Sequence, residues 1–139
     1  MRSTFLAIFP SIMLPMFLAV IDQTIVATAL PAIAAATNNV ERASWIVVAY
    51  LIASTIAAPI YGRVGDAFGR RRLMFMALFL FIVASLFCAA APTIEVLVLA
   101  RVLQGLGGGG LMTLSQALIG EAIRRVNARA IRAISPQWR

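Results

Sequence analysis

Two uncharged tracts constrain this chain more than any other feature. Ala43–Tyr61 and Leu73–Ile94 contain no Asp, Glu, Lys or Arg. Each is about 20 residues long, the length of helix that crosses roughly 30 Å of hydrocarbon at 1.5 Å per residue. Between them lies the polar run Gly62–Arg72, which holds three glycines, one acid and four arginines. A run of this kind between two apolar tracts reads as a tight loop between membrane spans. Its arginines place that loop on the cytoplasmic side.

The rest of the chain extends the pattern. Of the 139 residues, 62% are hydrophobic and 12% charged, with a mean hydropathy of +0.95. A soluble domain this apolar could not cover its core with polar surface. The tracts have helical span lengths, unlike the ten-residue alternation of an outer-membrane barrel. The expected fold is therefore all-α and polytopic, with four transmembrane helices at about 5–34, 45–61, 73–91 and 95–122. Residues 35–44 would form an outer loop, Ala91-Pro92-Thr93 a second outer turn, and 124–139 a basic cytoplasmic tail. Trp45 and Tyr61 stand where interfacial aromatics belong. Only Arg2 precedes the first apolar tract, which outruns the apolar region of a signal peptide, so the tract reads as a span.

Charge fixes the expected orientation. All 12 basic residues are arginine. Arg2, Arg63, Arg70, Arg71, Arg72, Arg124, Arg125, Arg129, Arg132 and Arg139 fall on one side, Arg42 alone on the other, and Arg101 inside a span. Ten against one puts both termini in the cytoplasm. The net charge of +7 is thus explained by topology, and nucleic acid is not an expected partner. A lipid bilayer is.

Three features inside or beside the spans carry chemistry. Asp22 is the only acid within the first span. A charge at that depth costs a few kcal/mol or more, so it should face a cavity or a partner. It reads either as a proton- or cation-linked site or as a group stabilising a bend in the helix. Arg101 is the only base in the fourth span; it can orient Gln104 and water, or pair structurally with a backbone carbonyl. Gly105 and Gly109 form a small-xxx-small pair, and Gly107, Gly108 and Gly110 thin the same helix further. Close packing against a neighbouring span is one reading, and a substrate-facing wall the other. Phe75, Met76, Phe79 and Phe81 read as lipid- or helix-packing residues. The single cysteine, Cys88, reads as a small buried hydrophobe that cannot form an internal disulfide.

In the polar run, Gly62 and Gly65 allow tight turning or close helix approach, and Gly69 allows backbone angles that other residues resist. Asp66 can neutralise part of the arginine cluster. The pattern Gly62-x-Val64-Gly65-Asp66-x-x-Gly69-Arg70-Arg71-Arg72 resembles the signature between the second and third spans of the major facilitator superfamily. Two further stretches agree. Asp22-Gln-Thr-Ile-Val-Ala-Thr-Ala-Leu-Pro31 is similar to the first-span signature of its 14-span drug:proton antiporters, and Arg101-Val-Leu-Gln104-Gly105-Leu-Gly107 to the fourth-span signature of its antiporters. Val64 and Ala67 depart from the commonest residues of the loop signature without removing its acid or glycines.

The resemblance implies that residues 1–123 are part of the N-terminal half of such a transporter, performing proton-coupled efflux of amphipathic drugs or other small molecules. It implies Asp22 and Arg101 as proton-coupling residues, with Gln104 as a helper. Gly62, Asp66, Gly69 and Arg70 would form a conformational latch, against the alternative of a solvated turn that only sets topology. Energy would come from the proton gradient, with no metal, nucleotide or redox cofactor and no enzymatic activity. The implied location is a bacterial cytoplasmic (inner) membrane. Because the second half of such a transporter is missing here, the alternatives are a non-transporting fragment, an associate of a full-length relative, or a homo-oligomeric small exporter. Back-translation of residues 124–139 in a shifted frame yields a sequence similar to the family's next loop, so a reading-frame slip is an expectation for that tail.

Overall fold

The computed structural model describes residues 2–134, and side chains from 10 to 128. Arg139 lies outside the described residues, and the side chains of Arg2, Arg129 and Arg132 lie outside those described. Four helices account for nearly all of it: α1 (Arg2–Thr37), α2 (Val40–Phe68), α3 (Arg70–Ala90) and α4 (Ile94–Ile134). There is no strand among the described residues. All four helices are long and apolar enough to cross a membrane. The chain is an all-α, multi-pass membrane protein.

The connections are shorter than the composition suggests. The expected outer loop 35–44 is helical except at Asn38 and Asn39. Asn38 takes a left-handed φ of 52°, which asparagine tolerates. The Asn39 side chain accepts a hydrogen bond from the Arg42 backbone N–H at 3.0 Å and so starts α2. The expected inner loop 62–72 is likewise helical apart from Gly69, whose φ of +96° reverses the chain. Backbone hydrogen bonding continues through both polar stretches. Gly62 and Gly65 therefore sit in regular helix, not in a turn. At the other end, Thr93 Oγ1 accepts from the Val96 N–H at 3.4 Å and caps α4. Helix α4 then runs on past residue 122, through the first part of the expected tail.

Helix α4 is the packing centre, against α2 and α3 above all. Its neighbours present small residues at helical spacing. Helix α2 buries Ala43, Ile46, Ala49, Tyr50, Ala53 and Ala57, and α3 buries Leu73, Met74, Ala77, Phe81 and Ala84. In lipid, helices gain little from excluding water from one another, so association rests on close van der Waals contact. The glycines of α4 supply it. A Cβ at Gly105 would lie 2.5 Å from the Tyr50 carbonyl oxygen, one at Gly109 2.5 Å from that of Ser54, and one at Gly107 2.8 Å from the Phe81 nitrogen. The faces of Gly105 and Gly109 are thus filled by α2, which favours helix packing over an open substrate wall. Gly110 receives the ring of Tyr61, so this aromatic is partly buried against α4. Phe75, Met76 and Phe79 are exposed and Phe81 is buried.

Helix α1 is the most loosely held. It turns Ile12, Pro15, Ala19 and Asp22 inward at three- and four-residue intervals. Pro10, Pro15 and Pro31 all lie within the helix. They are accommodated without a break, as in membrane helices generally.

These contacts predict unequal costs for adding one methyl group. Gly109→Ala must move backbone and should destabilise the protein by about 1–3 kcal/mol, as overpacking does. Gly62→Ala, where a Cβ meets nothing within 4 Å, should be neutral or stabilising by up to about 1 kcal/mol. Thermal unfolding in detergent measures both; equal effects would contradict the packing of α4 on α2.

Candidate functional site

The inward stripe of α1 ends on Asp22, and the opposing face of α4 carries Arg101 and Gln104, one helical turn apart. The two helices run antiparallel, which sets Asp22 beside this pair and Ile12 near Ser115, whose hydroxyl donates to the Ile12 carbonyl at 3.3 Å. Arg101 lies about 10 Å along α4 from its first residue, at 1.5 Å per residue. It is 3% exposed. Its Nη1 donates to Asp22 Oδ2 at 2.7 Å and to Gln104 Oε1 at 2.5 Å.

Gln104 is fully engaged. Its Nε2 donates to Asp22 Oδ1 at 2.9 Å and to Ser85 Oγ at 2.8 Å. Its Oε1 accepts from Arg101 and also from the Cys88 thiol at 3.4 Å. A primary amide has two donors and one acceptor oxygen with two lone pairs, and here all are used. The carboxylate of Asp22 is thereby held at both oxygens by α4, while its side chain stays 23% exposed. The Tyr50 ring completes the site: the Arg101 guanidinium carbon lies 4.5 Å from its centroid. The site thus gathers an acid from α1, an aromatic from α2, two small polar groups from α3, and a cation with an amide from α4.

Burial of opposite charges this close satisfies both and penalises loss of either. An ion pair and a hydrogen bond to the same carboxylate thereby tie α1 to α4. Among the described residues no group of three His, Cys, Asp or Glu could hold a metal ion.

The second cluster lies where α2 turns into α3, against the C-terminal part of α4. Arg70 donates from Nη2 to Asp66 Oδ1 at 2.6 Å and from Nε to the same oxygen at 3.0 Å. Its Nη1 donates to the Ala117 carbonyl of α4 at 3.2 Å and lies 3.8 Å from Glu121 Oε2. Glu121 pairs in turn with Arg125. Gly65 brings the end of α2 onto Leu114, 2.9 Å from where a Cβ would lie. Asp66, Gly69 and Arg70 are therefore one constellation, whereas Gly62 makes no close approach. The cleft they border, about 870 Å³, is also lined by Arg71 and Arg124. Among the described residues, Arg63, Arg71 and Arg72 form no ion pair and are exposed. At the opposite end of the bundle Arg42 pairs with Glu95 at 2.8 Å, both exposed.

Sequence reasoning missed Tyr50, Ser85 and Glu121. The first two stand as ordinary members of apolar helices, and only Glu121, an acid close to the arginine-rich side, offered a signal. Cys88 needs correction: it is only partly buried, and its thiol is a hydrogen-bond donor to Gln104.

The geometry predicts coupling between residues 79 positions apart. Asp22→Asn and Arg101→Met should each destabilise the protein, the arginine change by about 3–5 kcal/mol. The double variant should recover about 1 kcal/mol or more of the summed loss. Additive losses in a detergent unfolding cycle would mean that the pair is not formed.

Comparison with known proteins places this geometry. A family model described as Major Facilitator Superfamily matches residues 12–134. Efflux pump dotC of Dothistroma septosporum is 43% identical over 108 residues, which is 78% of this chain and 19% of the relative. The MFS-type efflux pump MMF1 of Pseudozyma antarctica is 42% identical over 118 residues, 84% of this chain and 22% of the relative. Efflux pump FUS6 of Gibberella fujikuroi is 38% identical over 119 residues, 86% and 21% respectively. The chain thus spans about a fifth of the length of these curated relatives. No solved structure matches. With the three signature stretches, four apolar helices and this match over most of its length, the chain belongs to the Major Facilitator Superfamily, a family of transporters and not of enzymes.

Proposed function

We propose that this chain takes part in proton-coupled efflux of amphipathic small molecules, as a member of the 14-span drug:proton antiporters. The observation that carries the proposal is the intramembrane contact of Asp22 with both Arg101 and Gln104. A proton arriving at Asp22 cancels the charge that binds α1 to α4, and its departure restores it. The relation between the two helices thereby follows the protonation of one carboxyl group. Arg101 supplies the fixed countercharge, and Gln104 holds the second carboxylate oxygen. The inner cluster of Asp66, Gly69 and Arg70 acts as a latch, joining the α2–α3 turn to α4 through Ala117 and Glu121.

The efflux class is supported by the names of the relatives, and the substrate class by the apolar surroundings of the site. The proton gradient is the proposed energy source, without a metal or nucleotide. The orientation belongs to the proposal as well: a multi-pass position with both termini cytoplasmic. The relatives named above are fungal, so the expectation of a bacterial inner membrane finds no support in them. The second reading is a membrane fragment that does not transport alone but associates with a relative or with further copies. The frame slip proposed for residues 124–139 is separate, and sequencing the gene beyond codon 123 decides it.

The test is movement of a fluorescent amphipathic cation in proteoliposomes containing this chain, driven by an imposed pH gradient. We predict gradient-driven movement that Asp22→Asn reduces at least about tenfold, the scale of losing a positioned proton-transfer group. Movement indifferent to Asp22→Asn would remove Asp22 from the coupling role. Absence of movement despite verified insertion would favour the fragment reading. For orientation, in a Cys88→Ala background, cysteine at position 38 should label with an impermeant maleimide from outside intact cells, and cysteine at 68 only after permeabilisation. The reverse pattern would invert the topology.

A further inference from the structure

We propose that Tyr50 of α2 is a positioning residue for Arg101, a rigid aromatic shelf that keeps the guanidinium aimed at Asp22. The role rests on the proton-coupling reading of Asp22, but its geometry stands apart from transport.

The argument begins with how Arg101 is held. Both of its side-chain hydrogen bonds leave from one nitrogen, Nη1. Its Nε is buried with no hydrogen-bond partner among the described residues. A planar cation pinned at a single nitrogen can swing about that point, and each swing would withdraw Nη1 from Asp22 or from Gln104. Something has to hold the plane. The Tyr50 ring does so, with the guanidinium carbon 4.5 Å from its centroid. Both residues are 3% exposed, and a cation over an aromatic face gains most when water is excluded.

The shelf is itself fixed from α4. A Cβ at Gly108 would lie 2.1 Å from the Tyr50 hydroxyl oxygen and 2.9 Å from the ring carbon that carries it. Only glycine at this position leaves room for the phenol. One turn earlier, Gly105 meets the Tyr50 carbonyl oxygen and Cα, which sets the height of the ring. Residues 101, 105 and 108 of α4 thus form one register against a single tyrosine: a cation and two clearances. This gives Gly108 a purpose distinct from that of Gly107 and Gly109, which contact backbone. The titratable or charged groups facing the pair are Asp22 of α1, Tyr50 itself, and the Cys88 thiol of α3, reached through Gln104.

The hydroxyl meets the Gln23 side chain of α1, but it is the ring that lies over the guanidinium. Tyr50→Phe should therefore preserve the function, and Tyr50→Leu should lose it. The direct readout is ¹⁵N NMR of the arginine-labelled full chain in nanodiscs, with Arg101→Lys assigning the Nε–H resonance. We expect the wild-type Arg101 Nε–H to be displaced by the ring current and to exchange slowly with solvent. Tyr50→Phe should keep both properties. Tyr50→Leu should lose the displacement and exchange at least about tenfold faster, and Gly108→Ala should do so in part by pushing the ring aside. An undisplaced wild-type resonance would overturn the proposal without any variant, and so covers the case in which Tyr50→Leu does not fold. Equal exchange in the Phe and Leu variants would overturn it too. In the proteoliposome assay, Tyr50→Leu should lower kcat with KM for the amphipathic cation unchanged, and Tyr50→Phe should restore kcat. Failure of transport in every variant while the NMR pattern holds would count against the proton-coupling reading and leave the shelf intact.

Discussion

The structure depends on how closely the backbone of α4 approaches α2 and α3. Inside a bilayer the hydrophobic effect does little to join one apolar helix to another, because lipid tails are as apolar as leucine. What remains is surface contact at short range, and side chains on both partners would hold the axes apart. Gly105, Gly107 and Gly109 remove that obstacle on two sides of one helix, and Ala49, Ala53, Ala57, Ala77 and Ala84 remove it on the partners. Polar contacts then become feasible. Arg101 and Gln104 can reach Asp22, Ser85 and Cys88 because α4 lies deep enough between its neighbours for one side chain to touch several helices. The glycine run and the polar network belong to a single design: the first creates the proximity, and the second uses it.

Charged contacts are distributed along α4 at three levels. Glu95 meets Arg42 at the start of α4, Arg101 meets Asp22 within the apolar region, and Glu121 with the Ala117 carbonyl meets Arg70 farther along the helix. The first contact is exposed and the third only partly buried, so their worth lies in fixing register more than in stability. The middle one is enclosed and weighs more. Two of the three bind α4 to the α2–α3 hairpin, whose packing is already extensive. Only the middle one, helped by the hydrogen bond from Ser115 to the Ile12 carbonyl, binds α1. Among the described residues, the helix with the smallest buried share is thus the one attached through the enclosed ion pair. Segments with few buried contacts are those that move at low cost.

Much of this was legible in the sequence, and the limits have physical causes. Hydropathy over twenty residues located the four helices because the bilayer requires that length. Isolated charges within apolar tracts singled out Asp22 and Arg101 because such charges are costly. The loops were drawn too long because a helix that leaves the membrane becomes polar without ceasing to be a helix; composition senses solvent, not hydrogen bonding. Asn38 and Gly69, one positive-φ residue at each of the first two turns, were enough to reverse the chain there. The meeting of Asp22 with Arg101 was not legible, since it depends on the rotation of two helices separated by most of the chain. Tyr50 and Ser85 stayed hidden for a similar reason. A tyrosine or serine in an apolar helix carries no mark of what it will face.

The assignment of roles to the two clusters follows from their surroundings. The cluster around Arg70, with Asp66 exposed, is open to water, so breaking it exchanges one solvated arrangement for another. Such a contact can open and close without large energetic consequence, in keeping with the latch proposed above. The enclosed cluster cannot behave this way. Separating Asp22 from Arg101 leaves a buried guanidinium without its anion, a costly state unless water or another anion takes its place. Parting α1 from α4 is thereby costlier than opening the contacts around Arg70. The burial of Arg101 against Tyr50 is what makes it so.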